Sequence, residues 1–179
     1  STIRFETAPV KISDWTVLKL PENASAKLPS RGMALVVGTI NGFHSKIVLE
    51  PDGKGSHWFR VDSDLREAAG IDAGKKVTIV VEPSAEWPEP EVPADLKKAL
   101  ASDQQAKAQW VKITPMSRWD WLRWIRATNN RETRRQRIEV AMSKLKFGER
   151  RPCCFYRNQC TEPEVSKNGI FIDPTQTTK

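Results

Sequence analysis

The stretch "EPSAEWPEPEVP", residues 82–93, holds four prolines and four glutamates. Proline fixes φ and removes a backbone donor, so neither a helix nor a sheet ladder runs through such a segment, and clustered carboxylates keep it extended. It also marks a change of period. Before it, apolar residues alternate or run in short blocks; after it, they recur every three or four positions. A chain built this way needs a strand-rich part and a helical part on either side of a stiff connector. The division is 1–83, 84–93 and 94–179, and 179 residues suffice for two small cores.

The first part reads as strands. "MALVVGTINGFHSKIVLE" (33–50) is two apolar runs joined by Asn41-Gly42, the dipeptide that supplies the positive φ angles of a type I′ hairpin. "KKVTIVVE" (75–82) alternates, with Val77, Ile79 and Val81 on one face and Thr78 and Val80 on the other. "IRFETAP" (3–9) and "WTVLKL" (15–20) carry a weaker strand signal. "DSDLREAAGIDAG" spells one short helix, capped by Asp62 or Ser63 and closed by Gly70. Short strands with turns between them predict a small barrel.

The second part reads as about three helices with an apolar seam. "PADLKKALASDQQAKAQWVKI" opens with proline in its first turn and sets Leu96, Ala99, Leu100 and Ala106 on one stripe. "TPMSRWDWLRWIRATNN" offers Thr114 as cap with Pro115 behind it. "NNRETRRQRIEVAMSKLKFG" offers Asn130 as cap, Gly148 as stop, and Ile138, Ala141, Met142 and Leu145 at helical spacing. A cysteine-bearing loop, the apolar "GIFI" and a polar end follow.

The motifs "SRGMALVVGTINGF", "GSHWFRVDSDLREAAGIDAGKKVTIVVE" and "VPADLKKAL" resemble the bacterial domain of unknown function numbered 1905. "ETRRQRIEVAMSKLKFGERRPCCF" is similar to the YdeI/OmpD-associated, or bacteriocin-protection, family that often follows it. The two likenesses cover nearly all of residues 3–172. They imply an α+β protein: a small N-terminal double-split β-barrel like that of AbrB- and MazE-type transcription factors, then a C-terminal α-helical domain. They also imply an association with resistance to cationic antimicrobial peptides. They imply no settled reaction and no catalytic residues.

Charge divides with the period. Residues 1–91 hold 11 Lys/Arg and 13 Asp/Glu, whereas residues 92–179 hold 18 and 9. All of the basicity behind the isoelectric point near 9.5 therefore belongs to the second half. An anionic partner for that half, or simply a solvated basic face, accounts for the asymmetry. The densest part is "ETRRQRI", where Arg134, Arg135 and Arg137 crowd a helix start whose own field disfavours cations. Arg123, Arg126, Arg150 and Arg151 lie nearby in sequence. Arginine's planar fork suits carboxylate and phosphate, so the cluster either binds an outside anion or clamps the acidic connector. Arg134 falls on the Ile138 side and suits the clamp, while Arg135, Arg137 and Arg126 suit outside contact.

"RWDWLRW" adds Trp119, Trp121 and Trp124, which helical spacing cannot place on one face. Trp121 and Trp124 join the candidate ligand residues as stacking groups, with ordinary core filling as the competing account. Cys153, Cys154 and Cys160 form C-C-x5-C, and both histidines lie in the other half, so no zinc site is expected. Flanking arginines lower a thiol pKa, which makes redox sensing a candidate role beside plain burial. The odd, clustered cysteine count fits a reducing cytoplasm. "STIRFETAPVKISDW" carries no apolar core behind a basic head, and no apolar run reaches the ~18 residues of a membrane span.

No G-x-S-x-G, Walker loop, H-E-x-x-H or dinucleotide fingerprint occurs, and nothing calls for a cofactor. The expectation is a non-enzymatic cytoplasmic binding protein whose Arg/Trp-rich helical surface takes an anionic or amphipathic molecule or peptide. The alternatives are a nucleic-acid-binding protein and a thiol redox protein. The oligomeric state is left open.

Overall fold

A computed structural model describes residues 1–153 and 155–174. They form two compact units. One comprises residues 1–86, 157–160 and those from 164 onward; the other comprises 87–156 and 161–163.

The first unit is built on seven strands: β1 (Ile3–Thr7), β2 (Val10–Ile12), β3 (Trp15–Lys19), β4 (Ala34–Ile40), β5 (Phe43–Pro51), β6 (His57–Val61) and β7 (Val77–Pro83). They pair antiparallel in the order β1-β7-β4-β5-β6-β3-β2 and curl into a half-barrel. The alternation of β7 sets its register. Val77, Ile79 and Val81 turn inward against Phe5 and Ile3 of β1, Val36 and Ile40 of β4, and Phe59 of β6. Asn41 (φ 50°) and Gly42 (φ 81°) make the tight turn between β4 and β5 that the dipeptide predicts. Asn41 does more than turn: its Nδ2 donates to the Ala69 carbonyl at 3.0 Å, and Thr78 N donates to its Oδ1 at 2.9 Å.

Two short helices, α1 (Glu22–Ser25) and α2 (Ser63–Ala69), complete the half-barrel. Asp62 caps α2 by accepting from Leu65 N, and Gly70 closes it in the left-handed conformation, φ 64°. The "GIFI" segment pairs as β9 (Ile170–Phe171) with β8 (Ser166–Lys167). Phe171 stacks on Trp58 with ring centroids 4.9 Å apart, beside Val17, Cys160 and Val165. Residues far along the sequence thus finish the core of the first unit.

The second unit contains α3 (Ala94–Ala101), α4 (Gln104–Lys112), α5 (Pro115–Arg126) and α6 (Arg131–Lys146). The stretch from Ala94 that reads as one helix is two. Asp103 accepts from Gln105 N and Ala106 N, and this N-cap starts α4 afresh. The new direction lets both segments cover α6, with Leu96, Leu100, Ala106 and Trp110 meeting Ile138, Ala141 and Leu145 in one core. Thr114 and Asn130 cap α5 and α6 as their sequence positions predict.

A cation-lined cavity in the helical unit

The α6 helix ends at a residue with a geometric task. Gly148 has φ 89°, and its N–H donates to the Leu145 carbonyl at 2.9 Å while Glu149 N donates to the Lys144 carbonyl at 3.0 Å. This is a Schellman ending, which satisfies the last carbonyls and turns the chain sharply. The turned segment is then held on both sides. Gln109 of α4 donates from Nε2 to the carbonyls of Gly148 (2.9 Å) and Glu149 (3.2 Å), and Trp121 of α5 donates its indole N–H to the Arg150 carbonyl at 3.0 Å.

Arg118 positions the other wall. Its NH1 donates to the carbonyls of Trp110 (2.9 Å) and Ile113 (2.5 Å), groups that the C-terminus of α4 leaves without helical partners. Its Nε and NH2 reach the Glu89 carboxylate at 2.9 and 2.5 Å. An acid of the Pro/Glu connector is thereby paired to α5. The α4 ending, with Lys112 on it, is fixed against the start of α5.

Between these walls lies a cavity of about 880 Å³ lined by Gln109, Lys112, Thr114, Ser117, Glu149, Arg150 and Arg151, with Ile113 and Gly148. Lys112, Arg150 and Arg151 bring three positive charges to it, and Glu149 brings one negative. The Nε of Arg151 lies 3.8 Å from the buried Asp120 carboxylate. The positive end of α5 lies here beside the negative ends of α4 and α6, and Pro115 at its first position has no N–H to satisfy. The chemistry on offer is recognition of an anion by two guanidinium forks and an ammonium.

The remaining candidates are placed differently. Arg134 pairs with Asp95 of α3, at 2.7 Å from Nε to Oδ2. The Arg134 hydrogen bond holds the Asp95 carboxyl below the usual range, and Asp95 in turn raises the arginine pKa. Arg135 is exposed and pairs with Glu132 and Glu139 on its own helix. Hydrogen bonding to Glu132 raises its pKa and lowers that of Glu132. A smaller cavity of about 480 Å³ lies over these pairs, between Asp95, Arg131, Arg134, Arg135, Ile138 and Glu139. Arg137 donates to the Trp124 carbonyl at 2.9 Å and stands 5.6 Å over the Trp124 ring. Arg126 pairs with Glu162 at 2.9 Å and with the Thr161 hydroxyl.

Arg123 is buried, its guanidinium 5.1 Å over Phe155. Trp121 is only 1% exposed and meets half-buried Trp124 edge to face at 6.1 Å, so both are core residues first. Cys153 is exposed and Cys160 buried; Cys154 lies outside the described residues. Among the described residues, no three His, Cys, Asp or Glu side chains gather as metal ligands would.

Of the cavity's lining, sequence reasoning singles out Arg150 and Arg151 and passes over Gln109, Lys112 and Ser117. Thr114 is read only as a cap. The available signal was the closeness of Lys112 to the Thr114-Pro115 helix start, which puts a helix ending and a helix beginning side by side. His57 of β6 is buried. Its Nε2 lies 2.8 Å from the Gly32 carbonyl and its Nδ1 2.5 Å from Ser25 Oγ. A carbonyl only accepts, so Nε2 carries the proton and the Ser25 hydroxyl donates to Nδ1.

A curled antiparallel half-barrel joined to a capped helical unit with a cation-lined cavity defines an α+β protein of two modules. Residues 1–81 match the domain of unknown function DUF1905, and residues 89–148 match the family described as bacteriocin-protection, YdeI or OmpD-associated. The two matches follow one another in that order. The motif "VPADLKKAL" falls within the second match. No curated protein matches the chain. No helix of the described residues is long and apolar enough to cross a membrane.

Proposed function

We propose that the protein is a non-enzymatic cytoplasmic binding protein that takes an anionic or amphipathic ligand in the cavity lined by Lys112, Arg150 and Arg151. One observation carries this reading: Lys112, Arg150 and Arg151 converge on a cavity of about 880 Å³, against Glu149 in its lining and Asp120 at 3.8 Å from Arg151. Arg134 and Arg135 at the start of α6 are held more tightly, by Asp95 and by Glu132 and Glu139. The match of residues 89–148 to a bacteriocin-protection family supports a role in resistance against cationic antimicrobial peptides and envelope stress. Such peptides share the cavity's sign of charge. The ligand is therefore an anion of the stressed cell rather than the cationic part of the peptide itself.

The test is a thermal-shift and calorimetric titration with inorganic phosphate, phosphorylated metabolites and short carboxylates. A ligand at about a hundred times its Kd stabilises the fold by about 2.7 kcal/mol. Arg150→Gln with Arg151→Gln is expected to abolish that shift, while Arg135→Gln leaves it intact. Binding of none of these anions by the folded protein overturns the proposal. Tight binding to DNA, weakening by a log-log slope of about −0.9 per phosphate as salt rises, would favour the nucleic-acid reading instead.

A further inference from the structure

The rim of the cavity carries a feature that anion binding inside it does not use. "KLKFGERR" (144–151) closes α6 and turns into the cavity wall. Within it Phe147 is 82% exposed, more than any other large apolar side chain among the described residues. Val111, at the end of α4, is 69% exposed, and the Gln109 bond to the Gly148 carbonyl ties these two helix ends together. Lys112, Lys144, Lys146, Arg150 and Arg151 are all exposed around them. Lysines near a helix C-terminus are favoured by the helix's own field, which explains Lys112, Lys144 and Lys146 without any partner. It does not explain an aromatic ring left in water at the same point.

We propose that this end of the helical unit docks on an anionic phospholipid surface. Phe147 enters the interfacial layer, the lysines and arginines meet headgroups, and one lipid phosphate sits between Lys112, Arg150 and Arg151. The inference rests on the anion-binding reading of the cavity and names its ligand class. Cations flanking an exposed aromatic ring are the complement of an acidic membrane face. A protein partner fits less well, because one ring and one valine fall far short of the apolar area of a stable protein interface. The Schellman turn and the Gln109 bonds hold the loop in place, so little conformational freedom is lost on docking.

Sedimentation of the full chain with lipid vesicles tests this. Phosphatidylcholine alone is compared with phosphatidylcholine and phosphatidylglycerol in equal parts, and glycerol 3-phosphate serves as the soluble counterpart. Association with the anionic vesicles alone is expected. Phe147→Ser should weaken it by at least about tenfold, and Lys144→Gln or Lys146→Gln by about fivefold each. All three variants should melt like the parent and bind glycerol 3-phosphate unchanged, whereas Arg150→Gln with Arg151→Gln should lose both activities. Binding of the soluble phosphate without vesicle association overturns the docking and leaves the cavity reading standing. Vesicle association indifferent to Phe147→Ser overturns the docking too, since net charge alone would then explain it. Binding of neither removes both proposals.

Discussion

Arg134 and Asp95 meet side-on, Nε to Oδ2 at 2.7 Å and NH2 to Oδ1 at 3.0 Å, and this two-pronged pair joins α6 to α3. It resolves the electrostatic difficulty of a helix that begins among arginines. The cation nearest the helical core is neutralised by an acid from another element, and Arg135 is neutralised by two acids of its own helix. At the opposite end of α6, Arg150 and Arg151 follow the Gly148 turn, and there Arg151 meets the Asp120 carboxylate only at 3.8 Å.

Breaking that pair should cost little and should depend on acid. Both side chains are partly exposed, so Arg134→Ala is expected to destabilise by about 0.5–1 kcal/mol. The Asp95 carboxyl is held below its ordinary value of 3.8. Its contribution is complete above that value and disappears as pH falls through the lower, folded value. Urea melts of parent and Asp95→Asn across that range should converge at the acid end; parallel curves would refute the coupling.

Gly148 should matter to stability and to ligand binding together. At φ 89° an L side chain is strained, although nothing stands near where a Cβ would lie. Gly148→Ala is expected to cost about 1 kcal/mol and, by shifting the Arg150 segment, to weaken phosphate binding. Normal binding in this variant would show that the turn does not set the cavity.

Trp121 separates packing from positioning. Trp121→Ala empties a fully buried site and is expected to cost about 3–5 kcal/mol. Trp121→Phe keeps most of the ring but removes the N–H that holds the Arg150 carbonyl. It should lower anion affinity with a smaller loss of stability, measured by calorimetry beside thermal melting.

His57 predicts a second pH dependence, of opposite chemistry. Burial is the main cause that lowers its pKa from 6.5, and nearby Arg31 adds to it, while the Gly32 hydrogen bond and Asp52 oppose it. As pH falls, the unfolded chain takes up the proton first. Stability is therefore level above about 6.5 and declines below it. Ser25→Ala leaves Nδ1 without its donor and should cost about 1–3 kcal/mol at neutral pH. Melting curves that stay flat down to the carboxylate range would contradict the buried neutral imidazole.

Local chemistry was legible wherever a short stretch settles its own backbone. Asn41-Gly42 dictates a hairpin because few dipeptides accept two positive φ angles. Alternating Val77, Ile79 and Val81 dictate a half-buried strand, and Thr114, Asn130 and Gly148 punctuate helices through bonds to their immediate neighbours. The break at Asp103 was written in the same code, yet the continuous apolar stripe concealed it.

Which charges remain available was decided by the tertiary structure, because an ion pair depends on distance in space and not along the chain. Arg134 finds Asp95 across 39 positions and Arg118 finds Glu89 across 29. "ETRRQRI" therefore looked like the open cation cluster, while the cavity formed where Lys112, Arg150 and Arg151 were brought together from separate elements. Composition set the sign of the charge; folding chose where it gathers.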